Sequence, residues 1–172
     1  MNDIAILVMD KSFVFNNFVR PVCVDWTSEL HKQAFKSEST GYISGWGVQE
    51  EPDGNLGETI LFGDLNAELK HFQLPFVPSD TCLKEVPVDF KPIVNQSDKI
   101  CAGTDGYKLC EIDGGAGLTF ELDGSFYLMG VASVGPINCN TVKYTTFTNV
   151  SSHEQWVKNI YQTTDLTNST QD

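Results

Sequence analysis

Asp123-Gly124 lies between two apolar runs, and this pair constrains the chain more than any other feature. Asp-Gly flanked by apolar runs is among the strongest short-range signals for a two-residue β-hairpin turn. It predicts a strand from Leu118 to Glu121 that returns from Ser125 to Val134. Further short strands are predicted from Lys99 to Ala102 and from Tyr144 to Asn149, with one or two more inside 59–76. Gly41 to Gly47 alternates small and large residues, as a strand does where another backbone comes close. Many short strands with turns at regular spacing indicate an all-β sandwich or barrel.

The remaining elements fit around that sheet. Ile4 to Val8 is continuous and apolar and reads as a buried strand. Met1-Asn2-Asp3 before it offers no basic region and no small-residue cleavage site, so a signal peptide is not expected there. Arg20 to Val24 is extended around Pro21. Residues 48–58 are acidic and rich in turn formers, so they read as an exposed loop. Ser79 is placed to cap a short helix through Val86. Ser152-His153-Glu154-Gln155 fits a capping box opening a C-terminal helix, with Trp156, Val157, Ile160 and Tyr161 on its apolar side. Residues 162–172 are polar and are expected to fray.

Composition excludes some classes of function. The chain has 172 residues, 41% of them hydrophobic, enough for one domain with its own core. Its net charge is −12, with no Lys/Arg cluster of the kind that displaces counterions from nucleic acid or binds anionic membranes. No apolar run approaches the length of a membrane span. The His and Cys residues lack metal-ligand spacing, so neither metal nor cofactor is expected. Five cysteines are an odd number, and three sequons begin at Asn95, Asn149 and Asn168. An odd count in a secreted chain points to an unpaired thiol or a bridge to another chain. The alternative is five reduced core cysteines in a cytosolic protein, against which the sequons, glycosylation acceptors if the chain is secreted, weigh.

The stretch from Cys110 to Leu118 reads Cys-Glu-Ile-Asp-Gly-Gly-Ala-Gly-Leu. It resembles the nucleophile loop of trypsin-like serine proteases, Cys-x-Gly-Asp-Ser-Gly-Gly-Pro-Leu, with Cys110, Asp113, Gly115 and Leu118 matching. The other motifs of that family follow in order. Asn2 to Leu7 resembles the strand carrying the catalytic aspartate, and Arg20 to Val24 the segment after it. Ser44-Gly45-Trp46-Gly47 is similar to Ser-Gly-Trp-Gly, and Ile100 to Gly103 to Phe-Cys-Ala-Gly. Gly130 to Gly135 resembles Gly-Ile-Val-Ser-Trp-Gly, and Thr148 to Trp156 the final strand and helix entry. Within the family, the phrases from Gly117 to Val131 and from Tyr144 to Val157 look most like modular serine proteases of arthropod haemolymph.

The resemblance implies a trypsin-like double six-stranded Greek-key β-barrel, with the second barrel complete, the first only partly present, and a C-terminal helix. Residues 1–161 would be the protease-like domain, without the activation site and catalytic histidine that precede Asp3 in the family, and 162–172 a polar tail. It implies disulfides Cys82–Cys101 and Cys110–Cys139, and leaves Cys23 to bridge a portion upstream. A further family bridge falls on Gly41 and Phe120, where both cysteines are absent together.

The same resemblance shows damaged chemistry. A serine hydroxyl attacks, a histidine takes its proton, and an aspartate orients the histidine. Asp3 matches the aspartate, but the serine position is Gly114, which has nothing to attack with. Ile112 replaces the glycine of the oxyanion hole, and a β-branched residue resists the conformations glycine permits. The substrate-pocket positions are Lys108, Ser133, Gly135 and Thr145; Lys108 sits either at the pocket base or out in solvent. Asp113 matches the residue that pairs with a new N-terminus after activation, and is retained for that pairing or as an ancestral remnant. His31, His71 and His153 are expected on the surface and not as bases. The implied function is a catalytically inactive homologue, a pseudoenzyme that binds proteases or zymogens as cofactor or decoy in an extracellular innate-immune cascade. The alternatives are a fragment of a serine-type endopeptidase, or a truncated product without independent activity.

Overall fold

The computed structural model describes residues 2–27, 29–36, 39–45, 69–103, 114–134 and 143–168. Its centre is a closed six-stranded antiparallel barrel. The strands are β1 (Thr40–Gly45), β2 (Lys70–Val77), β3 (Lys99–Ala102), β4 (Gly117–Leu122), β5 (Ser125–Val134) and β6 (Thr145–Asn149). They follow one another around the barrel as β1-β2-β3-β6-β5-β4, and β4 returns to β1 through Gly41↔Phe120 and Tyr42↔Thr119.

The β4–β5 hairpin forms where Asp123-Gly124 places it. Asp123 has φ 50° and Gly124 φ 75°, so both central residues are left-handed, as the turn matching strand twist requires. Alternation along each strand sends Ile43, Leu74, Ile100, Leu118, Phe120, Met129 and Phe147 into one core. Gly130 is glycine because β5 crosses close to β6: a methyl group there would stand 3.0 Å from Phe147 Cβ.

A second, smaller core lies under the helical excursion between β2 and β3. It contains α2 (Ser79–Glu85), a 3-10 turn at Val88–Phe90 and α3 (Lys91–Val94). Val77, Cys82, Val86, Val94 and Cys101 pack together there, around the disulfide Cys82–Cys101. That pairing agrees with the expectation. Closing a loop of 19 residues' separation stabilises the fold by about 3 kcal/mol in the chain-entropy account. The expected Cys110–Cys139 bridge lies outside the described residues, as do the 48–58 loop and Trp46.

Local structure corrects several expectations. Ile4 to Val8 belongs to no strand, and Leu7 is 85% exposed. Its apolar pattern is that of a buried strand, but no described strand pairs with it. The helix beginning at Ser79 is capped at Pro78, with no side-chain cap bond. The C-terminal helix α4 (Glu154–Asn168) is entered through a 3-10 turn at Val150–His153 and capped by Asn149, three residues before Ser152. Asn149 Oδ1 accepts from the Ser151 N–H and the Ser151 hydroxyl. Helix α4 continues through Asn168, into the stretch expected to fray. Of its apolar side, Val157 and Ile160 are half-buried, whereas Trp156 and Tyr161 face solvent.

Candidate active site

Two elements far apart in sequence meet at Asp3. Its carboxylate Oδ2 accepts from the Ser133 hydroxyl at 2.6 Å, across 130 residues of chain. Its backbone carbonyl accepts from the Thr148 hydroxyl at 2.8 Å. Thr148 Oγ1 in turn accepts from the Lys99 ammonium at 2.8 Å, and that ammonium lies 3.4 Å from Asp98 Oδ2. Lys99 is 6% exposed, so its charge needs such partners. Asp3 is thus held through side chain and backbone by β5, β6 and β3.

The turn holding Gly114 is fastened to the same part of β5. Gly115 N–H donates to the Ala132 carbonyl at 2.9 Å, and Ala132 N–H donates to the Ala116 carbonyl at 2.8 Å. Gly115 has φ +87°, a left-handed conformation that favours glycine. Ala132 precedes Ser133, so the Gly114 turn and the Asp3 carboxylate are attached to adjacent residues of one strand. Gly114 itself is exposed. The strand thus carries the Asp3 carboxylate at Ser133 and the turn after Gly114 at Ala132, and Gly114 itself has no side chain.

Other predicted site residues are partly placed. Thr145 is buried at the start of β6, opposite Ala102. Lys108, Ile112, Asp113 and Gly135 lie outside the described residues. Cys23 is exposed and forms no disulfide among the described residues. Its N–H donates to the Phe126 carbonyl at 3.0 Å and its carbonyl accepts from Leu128 N–H at 2.8 Å, fixing it against Tyr127 of β5. Among the described residues, no group of three or more His, Cys, Asp or Glu is placed to hold a metal, and no helix is long and apolar enough to cross a membrane.

The histidines depart from expectation. Only His71 is exposed, stacked on Tyr42 at 5.4 Å. His153 is buried at the foot of α4, its Nε2 3.5 Å from Asp98 Oδ2. His31 is buried on α1 (Glu29–Ala34), edge-on to Phe35 at 5.2 Å, with Nδ1 3.8 Å from Asp25 Oδ2. Burial pushes the His31 imidazole below its ordinary pKa, although Asp25 pulls the other way. Burial alone would raise the Asp25 carboxyl. Hydrogen bonds from the Thr27 hydroxyl and N–H and from Leu30 N–H, with His31 nearby, outweigh it and hold the group low. The sequence did carry a signal for His31: with Ala34 and Phe35 it forms an i, i+3, i+4 set on one helical face.

The trypsin family profile matches residues 1–157. Rabbit coagulation factor IX (Oryctolagus cuniculus) is 29% identical over 90% of this chain and 51% of its own length. The CLIP domain-containing serine protease B15 of Anopheles gambiae is 30% identical over 92% of this chain and 40% of its own. The CLIP domain-containing serine protease HP8 of Bombyx mori is 29% identical over 91% and 40%. The chain therefore spans about half, or less, of the length of the curated relatives it matches. With the profile covering the barrel, Asp3, Ser133 and the Gly114 turn in one continuous match, the chain belongs to the trypsin family.

Proposed function

We propose that this chain acts without peptidase chemistry, as a binding cofactor or decoy for proteases or their zymogens in an extracellular proteolytic cascade of the innate-immune kind. The observation that carries the reading is Gly114, which stands where the family's nucleophile is expected, in a turn tied to β5 through Gly115 and Ala116. Asp3 keeps its partners, but an orienting carboxylate does no catalysis without a base and a nucleophile. Function on a fold lives in its site, and a site without a nucleophile leaves surface recognition as what selection can maintain. The relatives named as CLIP domain-containing serine proteases support placement in an arthropod cascade, with Cys23 available to bridge an upstream portion.

The test is direct. The protein is incubated with a fluorophosphonate that labels nucleophilic serines, and with a panel of fluorogenic peptides. No label and no turnover are expected. Its binding to purified cascade zymogens is then measured by surface plasmon resonance. Labelling of any serine overturns the non-catalytic reading.

A second reading has its own observation. Leu7, Val14 and Phe18 are 85%, 83% and 97% exposed within one stretch of chain. An apolar surface of that kind favours a fragment that needs another portion to cover it. Expression of residues 1–172 separates the two: a soluble monomer with a cooperative melt counts against a fragment without independent function.

A further inference from the structure

Two of the three sequons fall on described side chains, and the fold treats them differently. Asn149 is in β6, and its Oδ1 is engaged by the Ser151 N–H at 3.2 Å and the Ser151 hydroxyl at 2.9 Å. That carboxamide caps the turn leading into α4. Asn95 instead closes α3 at the surface. Its backbone N–H is satisfied by Lys91 and Ile93 carbonyls, and its exposed side chain makes no hydrogen bond to a described residue. Ser97, two residues on, is also exposed.

Directly after Asn95 the chain lines an open cavity of about 630 Å³, whose walls include Gln96, Asp98, His153, Gln155 and Trp156. Trp156 presents an indole 38% exposed, edge-on to His153 at 6.3 Å. His153 Nε2 is buried and has no hydrogen-bond partner among the described residues. The remaining lining is neutral amide and hydroxyl. The Asp98 charge is balanced by the Lys99 ammonium beneath it. The Lys99 ammonium is buried behind the wall and already neutralises Asp98 for a free cation, and a free anion would meet the Asp98 carboxylate. An uncharged ligand with an apolar ring face and many hydroxyls suits an aromatic wall surrounded by mixed donors and acceptors.

We propose that Asn95 carries an N-linked glycan and that its first sugar lies in this cavity against Trp156. The proposal shares with the function above only the extracellular route. In the attachment step, performed by a cellular transferase, Asn95 Nδ2 attacks the anomeric carbon of a lipid-pyrophosphate-linked oligosaccharide. The C–O bond to pyrophosphate breaks, a C–N bond forms, Nδ2 loses one proton, and the lipid pyrophosphate leaves. A bulky polar modification belongs on an exposed turn such as Asn95, and attachment at Asn149 would crowd the α4 cap.

The full chain is secreted from a eukaryotic cell behind a heterologous signal sequence, so that failure reflects the site and not the native compartment. Peptide masses are compared before and after an amidase that releases N-glycans and leaves aspartate. Modification at Asn95 with Asn149 bare is expected; the reverse pattern, or no modification at Asn95, overturns the site. The cradle is then tested by the rate at which an endoglycosidase cuts beyond the first sugar. Trp156→Ala and, independently, Gln96→Ala are expected to speed trimming about 2- to 10-fold, which is what one aromatic or polar interaction with the sugar is worth. Equal rates in wild type and both variants overturn the cradle. Binding to cascade zymogens is measured separately, so loss of either proposal leaves the other standing.

Discussion

Gly41 and Phe120 stand directly opposite each other on β1 and β4, and the Phe120 ring fills the space a side chain on Gly41 would take. A methyl group on Gly41 would lie 3.0 Å from Phe120 Cζ and 2.7 Å from Leu118 Cδ1. These are the two positions at which the family resemblance implies a bridge. A covalent link there has been exchanged for an aromatic packed into a core, and Phe120 continues to Phe35 at 6.0 Å, which stacks on Phe76 at 5.0 Å.

Gly41→Ala is therefore expected to destabilise the fold by about 1–3 kcal/mol through overpacking. Urea denaturation would show a lower midpoint with an unchanged slope. The double variant Gly41→Cys with Phe120→Cys removes the contact with the Phe120 ring, leaves the flexible Leu118 Cδ1 to move aside, and sets two thiols at directly paired positions. Such pairs have Cα separations of about 4.5–5.5 Å, inside the disulfide range. Non-reducing intact mass should show that the new bridge has formed.

Removing the Cys82–Cys101 disulfide by Cys82→Ala with Cys101→Ala should cost about 2–4 kcal/mol. The loss combines a freer unfolded chain with a cavity between α2 and β3, since both cysteines are fully buried. Thermal melts of the variant and the parent measure it.

Acid should weaken the fold in two steps. His31 has its folded pKa depressed, so between about 6.5 and that lower value the unfolded chain binds more protons, and stability falls as pH falls. Asp25 is also depressed, so its contribution is present above about 3.9 and is lost as pH drops through its folded value. His31→Phe, which keeps an aromatic beside Phe35, should flatten the dependence between pH 7 and pH 5 while leaving the lower step. Urea midpoints against pH give both.

Asp3 and Thr148 should differ sharply on substitution. The Asp3–Ser133 bond is exposed, so Asp3→Asn should cost under about 1 kcal/mol. Thr148 is fully buried between the Lys99 ammonium and the Asp3 carbonyl, so Thr148→Val should cost about 1–3 kcal/mol. Chemical denaturation of both variants tests the contrast.

What was legible in the sequence was what neighbours in sequence decide. The Asp123-Gly124 turn needs two left-handed residues and has them, so the hairpin and its strands follow. Asp3 and Gly114 were legible only through motif order; that adjacent residues of β5 hold both is a fact of the folded chain. Burial was less legible, because it belongs to whatever packs across from a residue. Ile4 to Val8 has the pattern of an interior strand and lies largely exposed, while His31 and His153 are polar and lie buried. The α4 cap was misplaced for a related reason: Ser152 and Asn149 are both good caps, and tertiary fixing of β6 decided for Asn149.

The stretch from Asp3 to Cys23 has both ends fastened to one strand, at Ser133 and at Tyr127 of β5. It behaves as a strap buckled twice to the same beam. Its apolar side chains, Phe18 among them, face solvent between the two buckles and take no part in the barrel core. The stickiest surface of the described chain is thereby mechanically separate from the core that gives it shape.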